Sequence, residues 1–133
     1  MTPSVEAEKI IRLIGVYDAD GTVRGELWYW VGARLGRAHC ALCDITHGSV
    51  RERTDWKQCR AALPVLFDTY HRNDQPDPVR TAIDGQVPVV VAETTAGIVM
   101  LLGPAELDRC DGQVQRLTEA IERAVNDHGL RWP

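Results

Sequence analysis

Apolar positions along the chain fall into two patterns, one nearly continuous and one periodic. Residues 9–17 read KIIRLIGVY. A run this dense in branched aliphatics predicts a strand buried on both faces, the kind found in parallel sheets. It ends at Asp18-Ala19-Asp20-Gly21, a cluster of turn formers. In residues 24–36, Leu27, Val31 and Leu35 recur at helical spacing with Trp28 beside them, and Gly36 supplies a stop. Residues 38–50 read AHCALCDITHGSV, where Ile45 and Thr46 favour extended structure and Gly48 ends it. Residues 53–63 read as a short helix, with Thr54 as N-cap and Trp56, Cys59, Ala62 and Leu63 on one face, before Pro64 breaks it.

Residues 65–70, VLFDTY, predict another strand, and the polar stretch 71–78, HRNDQPDP, predicts an exposed loop leading into a short helix near 78–84. Residues 87–91 and 98–102 predict two strands joined by a turn at 94–97, a hairpin. Residues 112–126 close the pattern with Val114, Leu117, Ile121 and Val125 in a single helical stripe. The predicted order β-α-β-α-β-α-β-β-α implies an α/β sandwich, a mixed central sheet with helices on both faces.

The segment from Gln86 to Val125, with Val87-Pro88, a hairpin, Gly103 and a terminal helix in that order, resembles the thioredoxin-like superfamily. That resemblance implies a thioredoxin-like fold with Pro88 as a cis-proline beside an active site. Sequence chemistry alone also accommodates an ordinary trans proline opening a strand. The amino-terminal half departs from the family, because it holds no Trp-Cys-Gly-Pro-Cys segment. Two registers are open. In one, Cys40-Ala41-Leu42-Cys43 heads a helix, as in the redox enzymes of that superfamily. In the preferred one, residues 17–25 occupy the redox turn and Cys40 to Thr46 forms the next strand. The phrase HCALCDITHG also resembles a group of small bacterial proteins without an assigned activity.

At 133 residues, against about 100–200 for a typical domain, one domain over residues 1–133 is expected. Lys and Arg number 15 against 19 Asp and Glu, a net charge of −4, which argues against a nucleic-acid partner. Apolar runs are short and interrupted by charge, which argues against a membrane span. The first residues lack a basic segment followed by a long apolar stretch, so no secretory signal is expected. With four cysteines, a cytoplasmic protein is expected, in which a close cysteine pair points to metal or redox chemistry. A sheet-edge homodimer is left open.

The densest chemistry lies in residues 39–47. His39, Cys40, Cys43, Asp44 and His47 fall within nine positions, and all five side chains can ligate a metal. Two thiolates in C-x2-C with an imidazole in C-x3-H suit zinc, and thiolate with imidazole also suits copper. Cys40, Cys43 and His47 are the candidate ligands, with His39 or Asp44 as auxiliary. Under the redox alternative Cys40 and Cys43 exchange a disulfide beside Pro88, aided by a neighbouring imidazolium and opposed by Asp44. Two buried structural cysteines are the third reading of the pair. A non-enzymatic partner-binding module, with the aromatic helix 26–36 partly exposed, is the third functional reading; Trp28, Tyr29 and Trp30 can wall a pocket or pack in the core.

Other candidates carry plain structural alternatives. Asp18 and Asp20 flank the first strand's carboxyl end, where α/β folds bind ligands, and aspartates also stabilise turns unaided. Glu26 reads as a first-turn helix charge. His71 and Arg72 can reach the same edge or sit in a solvated loop. Cys59 is expected to be buried, and Cys110, in the polar turn DRCDG, exposed and oxidisable.

Overall fold

The computed structural model describes residues 8–18, 41–46 and 53–133, with the backbone alone at Ala41, Cys43 and Asp44. Four strands are described: β1 (Ile10–Tyr17), β2 (Phe67–His71), β3 (Val89–Thr94) and β4 (Gly97–Leu102). They form one mixed sheet in the order β2-β1-β3-β4. β2 runs parallel to β1, from Leu13 opposite Phe67 to Tyr17 opposite His71. β3 runs antiparallel to β1, and β4 antiparallel to β3. The dense apolar run thus occupies an interior strand, flanked by β2 and β3, as its composition predicts.

Five helices are described: α1 (Ala41–Thr46), α2 (Thr54–Ala62), α3 (Asp77–Ile83), α4 (Pro104–Asp108) and α5 (Val114–Asp127). Strand alternation sorts them onto two faces. Leu13 and Tyr17 point into the larger core with Leu42, Ile45, Trp56, Leu107, Leu117 and Ile121, from all the helices but α3. Ile14 and Val16 point the other way and pack with Val79 and Ile83 of α3 and with Val89 and Val91 of β3. The fold is α/β, with helices on both faces of a four-stranded mixed sheet.

The predicted hairpin is present. Thr94 and Gly97 close it, with the Thr94 hydroxyl donating to the Gly97 carbonyl at 2.8 Å and accepting from the Ala96 N–H at 3.2 Å. Gly97 has φ 134°, a conformation that side chains disfavour, so its lack of Cβ is used here. The stripe of α5 is also as predicted, with Val114, Leu117, Ile121 and Val125 its buried residues.

Other expectations need correction. Residues 41–46 form a helix, not the predicted strand. Leu42, Ile45 and Thr46 are all fully buried, at the i, i+3, i+4 spacing of one helical face. Burial of that face outweighs the weak extended preference of Ile and Thr. The Thr46 hydroxyl turns back to donate to the Leu42 carbonyl at 3.1 Å. In α2, Arg53 precedes the helix and caps it without a side-chain bond, so Thr54 is its first residue. Trp56 is buried and Cys59 and Leu63 pack against the core, while Ala62 is exposed. β2 begins at Phe67, not Val65, and Leu66 just before it is 73% exposed. The residues predicted as the helix 24–36, with Trp28, Tyr29 and Trp30, lie outside the described residues, as do Asp20 and Glu26. Among the described residues no helix is long and apolar enough to cross a membrane.

Candidate functional site

The carboxyl ends of the parallel strands β1 and β2 lie side by side, with Tyr17 opposite His71. This is where the connection from β2 crosses β1 to reach β3, the position at which open α/β sheets bind ligands. Val16 pairs with Val89 of β3, directly after Pro88. The start of β3 therefore belongs to the same end of the sheet. The Val87–Pro88 peptide is cis, as the resemblance implied.

Side chains from both strand ends converge there. The Tyr17 and His71 rings lie 5.6 Å apart with a 58° tilt. His71 Nδ1 is 3.2 Å from Asp74 Oδ2, and the His71 backbone N–H donates to the other Asp74 oxygen. Asp18 Oδ1 lies 3.3 Å from Arg72 Nη1. His71 and Arg72 thus reach the edge occupied by Asp18, with Arg72 itself exposed in the turn after β2. Gln75 donates from Nε2 to the Arg72 carbonyl at 3.0 Å, anchoring this corner, while its buried Oε1 has no hydrogen-bond partner among the described residues.

Helix α1 is fastened to this end of the sheet. Thr46 Oγ1, already donating to Leu42, accepts a 3.0 Å hydrogen bond from the Tyr17 hydroxyl. Beneath α1, Gly15 provides room: a Cβ built there would lie 3.0 Å from Leu42 Cδ2 and 3.0 Å from Phe67 Cε1. α1 also packs against α2, α4 and α5. Cys43 and Asp44 are residues of this helix, at helical positions off the buried stripe of Leu42, Ile45 and Thr46. Cys40, His39 and His47 lie outside the described residues. Among the described residues, no group of three or more His, Cys, Asp or Glu is placed to hold a metal ion.

The two cysteines described with side chains stand apart from this arrangement. Cys59 is partly buried, its Sγ 3.1 Å from Thr118 Oγ1, where the thiol donates because that hydroxyl already donates to Val114. Cys110 corrects an expectation. It is 2% exposed, and its thiol donates to the Glu106 carbonyl at 3.5 Å. Burial pushes this thiol above its ordinary value, against a smaller opposing pull from Arg116. The polar turn DRCDG therefore turns its cysteine inward.

Asp18, His71, Arg72 and Pro88 stand out in the sequence, whereas Tyr17, Thr46, Asp74 and Gln75 belong to no motif of their own. The available signal was positional. Tyr17 ends the buried run, and Thr46 is spaced one helical turn from Leu42. No family model, curated protein or solved structure matches the chain.

Proposed function

We propose that the chain is a small thioredoxin-like protein whose segment 39–47 binds a soft metal ion, zinc or copper. Cys40, Cys43 and His47 are the ligands, with His39 or Asp44 as auxiliary. The observation supporting this reading is that α1, which contains Cys43, is a helix docked by Leu42, Ile45 and Thr46 at the carboxyl end of β1. In the sequence Cys40, Cys43 and His47 are spaced by three and four positions, and Cys43 lies within α1. The donor set fits the ion, because two thiolates and an imidazole match the softness of zinc and Cu(I). When bound, the ion would supply either structural cross-linking of α1 or a Lewis-acid centre with one open position. The sheet order β2-β1-β3-β4, with β2 parallel and β3 antiparallel to β1, supports the thioredoxin-like assignment. The protein is proposed to be cytoplasmic, where thiols stay reduced and able to ligate.

The helix also favours a second reading, thiol–disulfide exchange. An extended strand would splay the two sulfurs, whereas a helical turn keeps C-x-x-C partners near each other. In that reaction one thiolate attacks a disulfide substrate and forms a mixed disulfide. The second then displaces the substrate thiol, leaving Cys40–Cys43 oxidised and the substrate reduced to two thiols. Pro88 would stand beside the exchanging sulfur.

Elemental analysis of protein purified without added metal separates the two. Stoichiometric zinc or copper, lost in Cys43→Ser, is the result expected for the metal site. A metal-free protein that forms a reversible Cys40–Cys43 disulfide on mild oxidation and turns over in insulin reduction would replace it with the redox reading. Neither property would leave only the fold.

A further inference from the structure

Helix α5 carries four charged residues on one exposed stripe: Arg116, Glu119, Arg123 and Asp127. All four line a groove of about 490 Å³ whose floor includes Leu101 and Leu102 of β4. β4 is an edge strand, and among the described residues its outer side has no partner. Its sequence, GIVMLL, carries none of the Lys, Glu or Pro residues that normally protect such an edge. The charged stripe and the unprotected edge are therefore parts of one surface.

The order of the charges selects the occupant. Along the helix the signs read plus, minus, plus, minus. Reversing that order and setting it against itself places Arg116 opposite Asp127 and Glu119 opposite Arg123, twice over. A parallel copy would set like charges together. Ala120 and Ala124 lie among the charged residues in the same groove, and small side chains allow two helices to approach closely. Among the described residues, none of the four makes an ion pair within the chain, and Glu119 only accepts a 3.3 Å hydrogen bond from Gln115. A twofold interface needs a self-complementary patch of this kind.

We propose that this face binds a second copy of the same chain, about a twofold axis that sets α5 antiparallel to its symmetry mate and brings the two β4 edges together. The proposal is independent of the metal or redox chemistry of segment 39–47.

Sedimentation equilibrium on the wild-type chain tests it, with Arg123→Glu, Glu119→Arg and the combined charge swap. The expected result is a wild-type dimer that each single reversal weakens by roughly tenfold or more, since symmetry repeats each changed contact. The combined swap restores association. A monomeric wild type, or a dimer indifferent to the single reversals, overturns the proposal. Hydrogen exchange on the wild type needs no variant. Protection of β4 amides that rises with protein concentration supports the pairing, and protection that does not change overturns it.

Discussion

At Gly15 a single hydrogen atom makes room for α1. A methyl group there would stand 3.0 Å from both Leu42 Cδ2 and Phe67 Cε1, closer than carbon atoms pack without displacement. Both neighbours are buried side chains, so each must give by a few tenths of an ångström inside a packed core. Gly15→Ala is expected to destabilise the fold by about 1–3 kcal/mol, read as a lowered urea midpoint. Tyr17→Phe should cost about 1 kcal/mol, because the Thr46 hydroxyl keeps its bond to Leu42 and loses only the one it accepts. Cys110 answers to pH instead. Its thiol keeps the proton to higher pH folded than unfolded, because burial disfavours the thiolate. Above the ordinary thiol range the folded state then binds more protons than the unfolded one, so stability falls as pH rises. Wild-type stability should therefore stay level relative to Cys110→Ala below about pH 8 and fall toward it as pH rises beyond that, measured by urea unfolding at each pH. A gap that widens with pH would contradict this burial argument.

Elements whose pattern is written in their own residues were legible from sequence. The four-position stripe of α5, the buried run of β1 and the hairpin of β3 and β4 all state their period locally. α1 was not legible, because six residues hold too few turns to show a period, and Ile45-Thr46 suggests a strand when read alone. Its helical state is set by what lies beneath it, Gly15 and Tyr17 of β1, far away in sequence. α4 carries helix-start signals in its own residues. Gly103 precedes it, Pro104 opens it, and Glu106 Oε2 accepts from the Gly103 N–H at 3.0 Å. The soft-ligand segment was legible as composition, whereas the convergence of Tyr17, Asp18, His71 and Arg72 needed the parallel pairing of two distant strands. Since α1 is held by its buried stripe, Leu42→Ala should cost about 2–5 kcal/mol and loosen the helix on which Cys43 sits. The check is a urea titration paired with the rate of thiol alkylation at Cys43, which should rise. An unchanged alkylation rate in a destabilised variant would mean that docking of α1 does not govern the thiol.

Across the whole molecule, the two ends of the sheet are built differently. The end bearing β1's carboxyl terminus gathers Tyr17, Asp18, His71 and cis-Pro88 with Thr46, the last residue of α1. The opposite end is closed by charge and by the chain's own tail. Arg12, on the central strand, donates from Nη1 to Asp68 of β2 at 3.0 Å and from Nε to Glu93 of β3. Those bonds, the one to Glu93 foremost, raise the guanidinium above its ordinary value and keep it charged. Beside them, Ile10 donates to the Arg131 carbonyl at 2.9 Å and Arg131 to the Glu8 carbonyl at 3.0 Å. Arg12 thus ties three adjacent strands together. Its side chain is 36% exposed, and Asp68 and Glu93 are 35% and 33% exposed, so water screens the attraction and limits its worth. Arg12→Met retains much of the aliphatic stem but leaves two carboxylates flanking β1 without their cation. The expected loss is about 1 kcal/mol at low salt, shrinking as added salt screens the remaining repulsion. Because the change sits at the far end from α1, metal content and thiol reactivity of segment 39–47 should match the wild type. Urea titrations at low and high salt, with elemental analysis of the same preparation, read both halves of this expectation. A loss that grows with salt would refute the electrostatic account, and altered metal content would show that the two ends act as one.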